Sequence, residues 1–452
     1  MTLLSELSAE VCQRARMSRD PRFDGRFFVA VKTTGIFCRP ICPANLPKEE
    51  NVEYFSSQAL AVSAGYRPCL RCRPESAPHS WAWKGAETTF LRALTLIEQG
   101  ELDGSLETLA SRLGISDRYL RQLFQRHLGM PPKQYAQIQQ LMFAKQLLHT
   151  SQISITEVAY ASGFQSTRRF NDAFQKLFRL TPTQVRRERA ALPSRNHLSL
   201  AFRGPFDWAH MLDFYRLRAI EGMELVDEQS YQRHFVLGEG TGWFKASMAQ
   251  SHLDIEFEME RLSDLRHLVA RLRRMFDLDA DLISIEAHLE QLAPGLVRRT
   301  GIRIPGVWNA WEAGVRAVLG QQVSVKAAIG QLNLLVSTLA ASEGSTRYFP
   351  TPEQVQMSDL SFLRMPERRK ETLKRLADYV RLHPMDSPMA WLSLSGIGPW
   401  TVDYAQLRGE SRSHCFLTGD LIVKKVLAKF PQLTAESVAP WGSYATFHCW
   451  SH

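Results

Sequence analysis

The period of the hydrophobic pattern changes three times along the chain, and the changes divide it. Residues 1–78 carry aromatic, strand-like runs such as "FDGRFFVAVKTTGIF". From 85 to 190 apolar residues recur at three- and four-residue spacing, which predicts helices almost throughout. Between about 197 and 285, alternating runs ("HFVLGEGTGWFKASMAQ", "HLDIEFEME") mix with helical ones ("DWAHMLDFYRLRAIEG", "LRHLVARLRRMFDL"). From 286 to 452 the pattern is helical again, punctuated by "IRIPG", "FPTPEQ" and "LSGIGPW". "PESAPHS" and "ALPSRNHLSL" read as joints. The expectation is a multidomain chain, mainly α with α+β parts, in four segments: 1–78, 85–190, 197–285 and 286–452. At 452 residues it exceeds what one ordinary core supports.

Charge sharpens the division. Residues 1–195 hold 27 Lys and Arg against 17 Asp and Glu, while residues 196–452 hold 28 against 29. The basic excess of the first part points to a polyanion, or to a merely solvated basic surface. No apolar run is long enough to cross a bilayer, and the first residues carry charges where a signal peptide has an apolar core, so a cytoplasmic protein is expected.

Four of the seven cysteines form two short pairs, Cys38 with Cys42 and Cys69 with Cys72, separated by 26 residues. That spacing fits a four-thiolate zinc site, whose commonest role is to staple a small domain. Cys12, Cys415 and Cys449 are scattered and read as ordinary thiols. The surrounding run "RDPRFDGRFFVAVKTTGIFCRPICPA…ENVEYF…AGYRPCLRCRPE" resembles the N-terminal domain of Ada-type adaptive-response proteins over residues 17–76. The resemblance implies that Cys38 is both zinc ligand and nucleophile, taking a methyl group from a methylated DNA phosphate and keeping it. It would convert one thiolate of a cluster of net charge about −2 into a neutral thioether, strengthening DNA binding. "PANLPKEEN", which follows Cys42, is poorer in basic residues than a phosphate-facing loop should be.

"SLETLASRLGISDRYLRQLFQRHLG" has helix–turn–helix grammar, with Gly114 at the turn and Ser116 capping a helix that carries Arg118 and Arg121. "SITEVAYASGFQSTRRFNDAFQKLFRLTP" repeats it around Gly163 and Ser166. The pair, followed by "FRLTPTQVRR", resembles the AraC-type DNA-binding domain over 88–190. This implies major-groove recognition of double-stranded promoter DNA, with Arg118, Arg121, Gln165, Thr167 and Arg168 nearest the bases, and RNA polymerase as a further partner.

"LSLSGIGPWTVDYAQLRG" resembles a helix–hairpin–helix, whose turn can hold a DNA phosphate through Gly396, Ile397 and Gly398, with Thr401 beside it. Asp420, in "CFLTGDLIVKK", lies 22 residues after Gly398. With "GVRAVLGQQVSVKAA" and "PWGSYATFHCW", these motifs most resemble AlkA-type 3-methyladenine DNA glycosylase II of the helix–hairpin–helix superfamily, over 197–452. The resemblance implies excision of alkylated bases with Asp420 as the catalytic carboxylate; a plain helix N-cap is the other reading of that residue. Trp400 stands where bifunctional relatives carry a Schiff-base lysine, so strand cleavage is not expected. Trp400, Tyr404, Trp450, Phe206 and Trp208 are candidates for an aromatic pocket that attracts a cationic alkylated base, or for core. Gln322 falls where the family can carry an apolar wedge. The last helix, ending in "CWSH", is expected to be short.

Together these resemblances imply a monomeric protein that joins an alkylation sensor and transcription activator to a monofunctional glycosylase. No "PCHR" motif for a second, O6-methylguanine acceptor appears. The rival readings are a regulator whose C-terminal half only holds damaged DNA, and a glycosylase with a purely structural zinc domain.

Overall fold

The computed structural model describes residues 7–20, 23–72, 74, 81–98, 100, 102, 105–187, 196–339, 342–344 and 346–452. All of the joint "PESAPHS" but Pro74, and the first half of "ALPSRNHLSL", lie outside them. The chain divides into two compact units, 1–139 and 140–452. The division falls within the segment 85–190, between its two helix–turn–helix motifs.

In the first unit, α1 (Ala9–Met17) starts at a Ser8 cap and precedes β1 (Phe28–Val31), β2 (Ile36–Cys38), β3 (Val52–Phe55), α2 (Gln58–Ser63) and β4 (Arg67–Pro68). The sheet order is β3-β1-β2-β4, antiparallel except for β2 with β4. Phe28, Ala30 and Phe37 bury one face against Ala61 of α2, and Val29 and Val52 bury the other against Cys12 and Ala15 of α1. The period-2 alternation therefore has apolar partners on both sides. Next come α3 (Trp81–Glu98), α4 (Leu106–Arg112) and α5 (Asp117–Leu128), packed around Phe90, Leu109, Leu120 and Phe124. Helix α6 (Pro132–Thr150) runs across the division.

The second unit holds the second motif, α7 (Ile155–Ala161) and α8 (Thr167–Phe178), followed by α9 (Pro182–Arg187). Both motifs turn on a left-handed glycine, Gly114 at φ +67° and Gly163 at φ +86°, a conformation that side chains with a Cβ resist. A five-stranded antiparallel sheet follows, built from β5 (His197–Ala201), β6 (Glu224–Val226), β7 (Ser230–Leu237), β8 (Gly240–Met248) and β9 (His252–Met259) in the order β5-β9-β8-β7-β6. Its inward residues Tyr231, Phe244 and Ile255 share a core with α10 (Trp208–Arg216), α11 (Leu265–Met275) and the second motif's Val158, Phe170 and Phe174. That shared core is the physical reason the division falls where it does.

The remaining helices are α12 (Leu282–Leu292), α13 (Ala310–Gly320), α14 (Val325–Leu339), α15 (Pro352–Met357), α16 (Glu367–Leu382), α17 (Pro399–Gly409), α18 (Leu421–Leu427) and α19 (Gly442–Trp450). They enclose two cores, one around Val315, Leu335, Leu376 and Trp391, the other around Ile285, Leu407, Leu417 and Phe447. A buried ion network fastens this part to the sheet. Arg233 of β7 reaches Glu224 at 2.7 Å and Glu312 of α13 at 2.5 Å, and Arg316 reaches the same two carboxylates at 3.2 and 2.9 Å. Removing one partner would strand a buried charge, so the network fixes the geometry of α13 under the site described next. No helix among the described residues is long and apolar enough to cross a membrane.

Candidate functional site

Strand pairing assembles the first constellation. The pairing of β2 with β4 sets Phe37 opposite Pro68, and the Cys69 N–H donates to the Phe37 carbonyl at 3.0 Å. This brings Cys38 and Cys69 together at adjacent strand ends, and the turns that follow deliver Cys42 and Cys72. All four Sγ atoms lie within 4.8 Å of one another. A tetrahedral ion with bonds of about 2.3 Å needs sulfur–sulfur edges of about 3.8 Å, so the residues present fit zinc. The hydrogen bond to Cys72, followed by burial and the neighbouring sulfurs, pushes the Cys38 thiol up. The same hydrogen bond brings the Cys72 thiol down to about 5, and a cation bound among the sulfurs would displace the protons that remain.

The four positions are not equivalent. Cys42 and Cys72 are buried, whereas Cys38 and Cys69 are partly exposed. The Arg39 N–H donates to Cys72 Sγ at 3.4 Å, and the Arg39 guanidinium is held by Asp24, with Nε to Oδ1 at 2.8 Å. This anchors the chelating turn from outside the cluster. The cations missing from the loop after Cys42 stand in the other loop, where Arg67 and Arg71 flank Cys69 and are exposed.

On the helix–turn–helix motifs, Arg118, Arg121, Gln165 and Arg168 are exposed and Thr167 is half-buried. Arg121 is already paired with Asp117 at 2.7 Å, whereas Arg118 has no ion-pair partner among the described residues.

The second constellation is a cavity of about 390 Å³ in the second unit. Asp420, Trp400, Tyr404 and Trp450 line it, as do Phe214, Phe447, His210, Arg218 and Arg316. Trp400 and Tyr404 stack at 5.4 Å, and Phe214 and Trp450 at 6.2 Å, giving two ring pairs on one cavity. Asp420 caps α18, accepting the Ile422 and Val423 N–H groups at 2.9 and 3.2 Å, and Trp450 Nε1–H at 3.1 Å. All three donors fall on Oδ1. Oδ2 has no protein donor among the described residues, so the carboxylate is held by one oxygen with the other available. The cap reading and the pocket reading of Asp420 therefore describe the same side chain.

Phe206 and Trp208 are a correction to the expected pocket. They do not line the cavity: Phe206 packs edge-on against Phe202 and Trp208, and Trp208 is buried against Phe276 with its indole N–H on the Gln229 carbonyl at 2.9 Å. The helix that Trp208 begins instead turns Phe214 into the pocket, six residues further on. Arg218, four residues further along the chain, joins it there. Helical spacing from Phe214 could have found it.

The hairpin loop runs between a 3-10 turn (Pro388–Ser393) and α17. Gly396 sits at φ +92°, and a Cβ there would meet Thr372 Oγ1 at 2.1 Å, so only glycine fits. The N–H groups of Gly396 and Gly398 have no acceptor among the described residues. Ile397 differs from expectation, because its N–H donates to the Leu394 carbonyl at 3.1 Å while its side chain is buried. Thr401 is also buried, and with the Gly396 carbonyl it accepts the Gln321 amide, both at 3.2 Å. Its place is to tie the loop after α13 to the hairpin. Gln322, next along that loop, is exposed in a left-handed conformation, φ +57°, which projects it beyond the end of α13.

Burial alone would push the Tyr404 phenol up, yet the guanidinium groups of Arg408, Arg218 and Arg316 outweigh it and bring it down. Burial pushes Arg218 itself down to about 10.

Three family models match the chain: the metal binding domain of Ada at residues 11–75, a helix-turn-helix domain at 109–188, and the AlkA N-terminal domain at 197–309. A probable bifunctional transcriptional activator/DNA repair enzyme AlkA of Mycobacterium tuberculosis is 34% identical, over 98% of this chain and 96% of its own. DNA-3-methyladenine glycosylase 2 of Escherichia coli is 33% identical over 56% of this chain and 96% of its own. The bifunctional transcriptional activator/DNA repair enzyme Ada of Escherichia coli is 35% identical over 38% of this chain and 47% of its own.

Proposed function

This chain belongs to the family of AlkA-type bifunctional transcriptional activators and DNA repair enzymes, and we propose that its residues divide the work between two chemistries. The first region is a zinc-binding domain, and zinc, when bound, keeps its sulfurs as thiolates at neutral pH. Cys38 Sγ attacks the methyl carbon of a DNA methylphosphotriester. The methyl–oxygen bond breaks, its electron pair stays on the phosphate, and Cys38 keeps the methyl as a thioether. Exposure supports Cys38 or Cys69 over the buried Cys42 and Cys72; the sequence motif around "TTGIFCRP" selects Cys38. The loss of one negative charge then strengthens DNA binding through Arg67, Arg71 and the helix–turn–helix faces, and so turns on transcription through RNA polymerase.

In the second region an alkylated base of the 3-methyladenine type flips into the aromatic cavity, and its N-glycosidic bond is hydrolysed. Trp400 and Trp450 stack on the base. Asp420 stabilises the oxocarbenium-like sugar and takes the proton of the attacking water. Gly396 and Gly398 hold a phosphate, and Gln322 fills the gap left in the duplex. With tryptophan at position 400 no Schiff base forms there, and the enzyme is monofunctional. A monomer in the cytoplasm, associated with the nucleoid when bound to DNA, completes this reading.

One observation carries it: a carboxylate with one free oxygen on the same cavity as two stacked aromatic pairs. Incubating the full chain with alkylated duplex DNA tests both halves at once. The expected products are free 3-methyladenine and a Cys38 peptide heavier by one methyl group. Absence of the free base removes the glycosylase half, and absence of the mass gain removes the acceptor half.

A further inference from the structure

We propose that Arg218 shifts the lesion preference of the base pocket toward neutral purines with a ring carbonyl, extending it beyond the bases that carry a positive charge. This deepens the base-excision reading above and rests on it.

Arg218 lines the cavity with its guanidinium 3.7 Å from the Phe214 ring centroid. One N–H donates to the Phe214 carbonyl at 3.2 Å. It has no acidic partner among the described residues. The nearby carboxylates are committed: Glu224 and Glu312 hold both Arg233 and Arg316, and Asp213 of the cavity wall pairs with Arg216. Arg408 is likewise without an acid, donating instead to Tyr404 Oη at 2.9 Å and to the Pro305 carbonyl. Arg218 therefore stands on the cavity wall without an ion-pair partner among the described residues, the other unpaired charge there being the Asp420 carboxylate.

The rings point the same way. Arg408 lies 4.7 Å from the Phe214 centroid and 5.7 Å from that of Tyr404. Two of the rings that line the cavity are thus already engaged by internal guanidinium groups, which weakens their attraction for a second cation.

When the C1′–N bond breaks, its electron pair leaves with the base. Water oxygen bonds to C1′, and the water proton passes to the Asp420 carboxylate. A cationic base becomes neutral, whereas a neutral base becomes an anion that then takes a proton from solvent. A fixed guanidinium opposes entry of the cationic base and assists its departure, and the two effects offset each other in kcat/KM. For the neutral base, entry is unopposed, the carbonyl accepts an N–H, and the forming anion is stabilised.

The test uses the full chain on two duplexes, one with a single hypoxanthine and one with a single 7-methylguanine, and compares wild type with Arg218→Leu and Arg218→Lys. The quantity read is the ratio of kcat/KM for hypoxanthine to that for 7-methylguanine. The expected result is a ratio lowered by about ten-fold or more in Arg218→Leu, and by less in Arg218→Lys, which keeps the charge. A ratio that moves less than about two-fold in Arg218→Leu, or an equal fall in both variants, overturns the proposal, since a packing role acts on both bases alike. So does a wild type that releases 7-methylguanine but no hypoxanthine. Release of neither base overturns the base-excision reading itself.

Discussion

In the thiolate cluster four ligands fall within 35 consecutive residues, whereas the base pocket draws Phe214 and Trp450 together from positions 236 apart. The first site is also its own scaffold. Cys38 ends β2 and Cys69 directly follows its paired strand β4, so the residues that do the chemistry hold the domain shut. The second site is a lining on a scaffold held elsewhere, by two apolar cores and the Arg233–Glu312–Arg316 network. Function and stability are thus inseparable in one region and separable in the other.

The largest expected effect breaks that contrast open. Chelating the zinc should unfold the region around residues 9–72, because binding energy on the order of 10 kcal/mol is folding energy in such small domains. Limited proteolysis with and without chelator checks this, with base release as the control. Loss of base release on chelation would mean that the pocket also depends on the metal. Next in size, Trp400→Ala removes one stacking ring and should lower kcat/KM for 3-methyladenine by about 10- to 100-fold, measured as single-lesion excision.

Smaller effects sharpen the contrast within each region. Arg118→Ala should weaken promoter binding by about 1–3 kcal/mol, and Arg121→Ala by less, because its guanidinium is already paired with Asp117. Fluorescence anisotropy on one promoter duplex ranks the two, and a larger loss at Arg121 would contradict the geometry. Trp208→Phe should leave excision unchanged while lowering the urea midpoint, because its indole packs against Phe276 and bonds the Gln229 carbonyl away from the cavity.

What was legible in the sequence follows the same divide. The two cysteine pairs announce themselves by spacing, and the paired helix–turn–helix motifs by their glycine and cap residues. The interval from the hairpin singled out Asp420, and the structure puts that side chain on the cavity wall at the cap of α18. Phe206 and Trp208 were misassigned because aromatic residues near "FRGPFDW" carry no sign of which helical face meets the cavity. Phe214, on the face that does, and Arg218, just past the end of that helix, have no motif to mark them. Nor could local pattern foresee that the second helix–turn–helix shares a core with the five-stranded sheet, since that depends on Val158, Phe170 and Phe174 finding partners from distant strands. Ile397 shows the same limit at the scale of one atom, because a hairpin motif does not say which N–H bonds internally.

Asp420→Asn tests the central claim most directly. Asparagine keeps the N-cap of α18, so the variant should fold with an unchanged urea midpoint. The account predicts that its release of free 3-methyladenine falls by about a thousand-fold, because the carboxylate charge facing the sugar is gone, while methyl uptake by Cys38 is untouched. A folded Asp420→Asn that releases the base as fast as the wild type would contradict it.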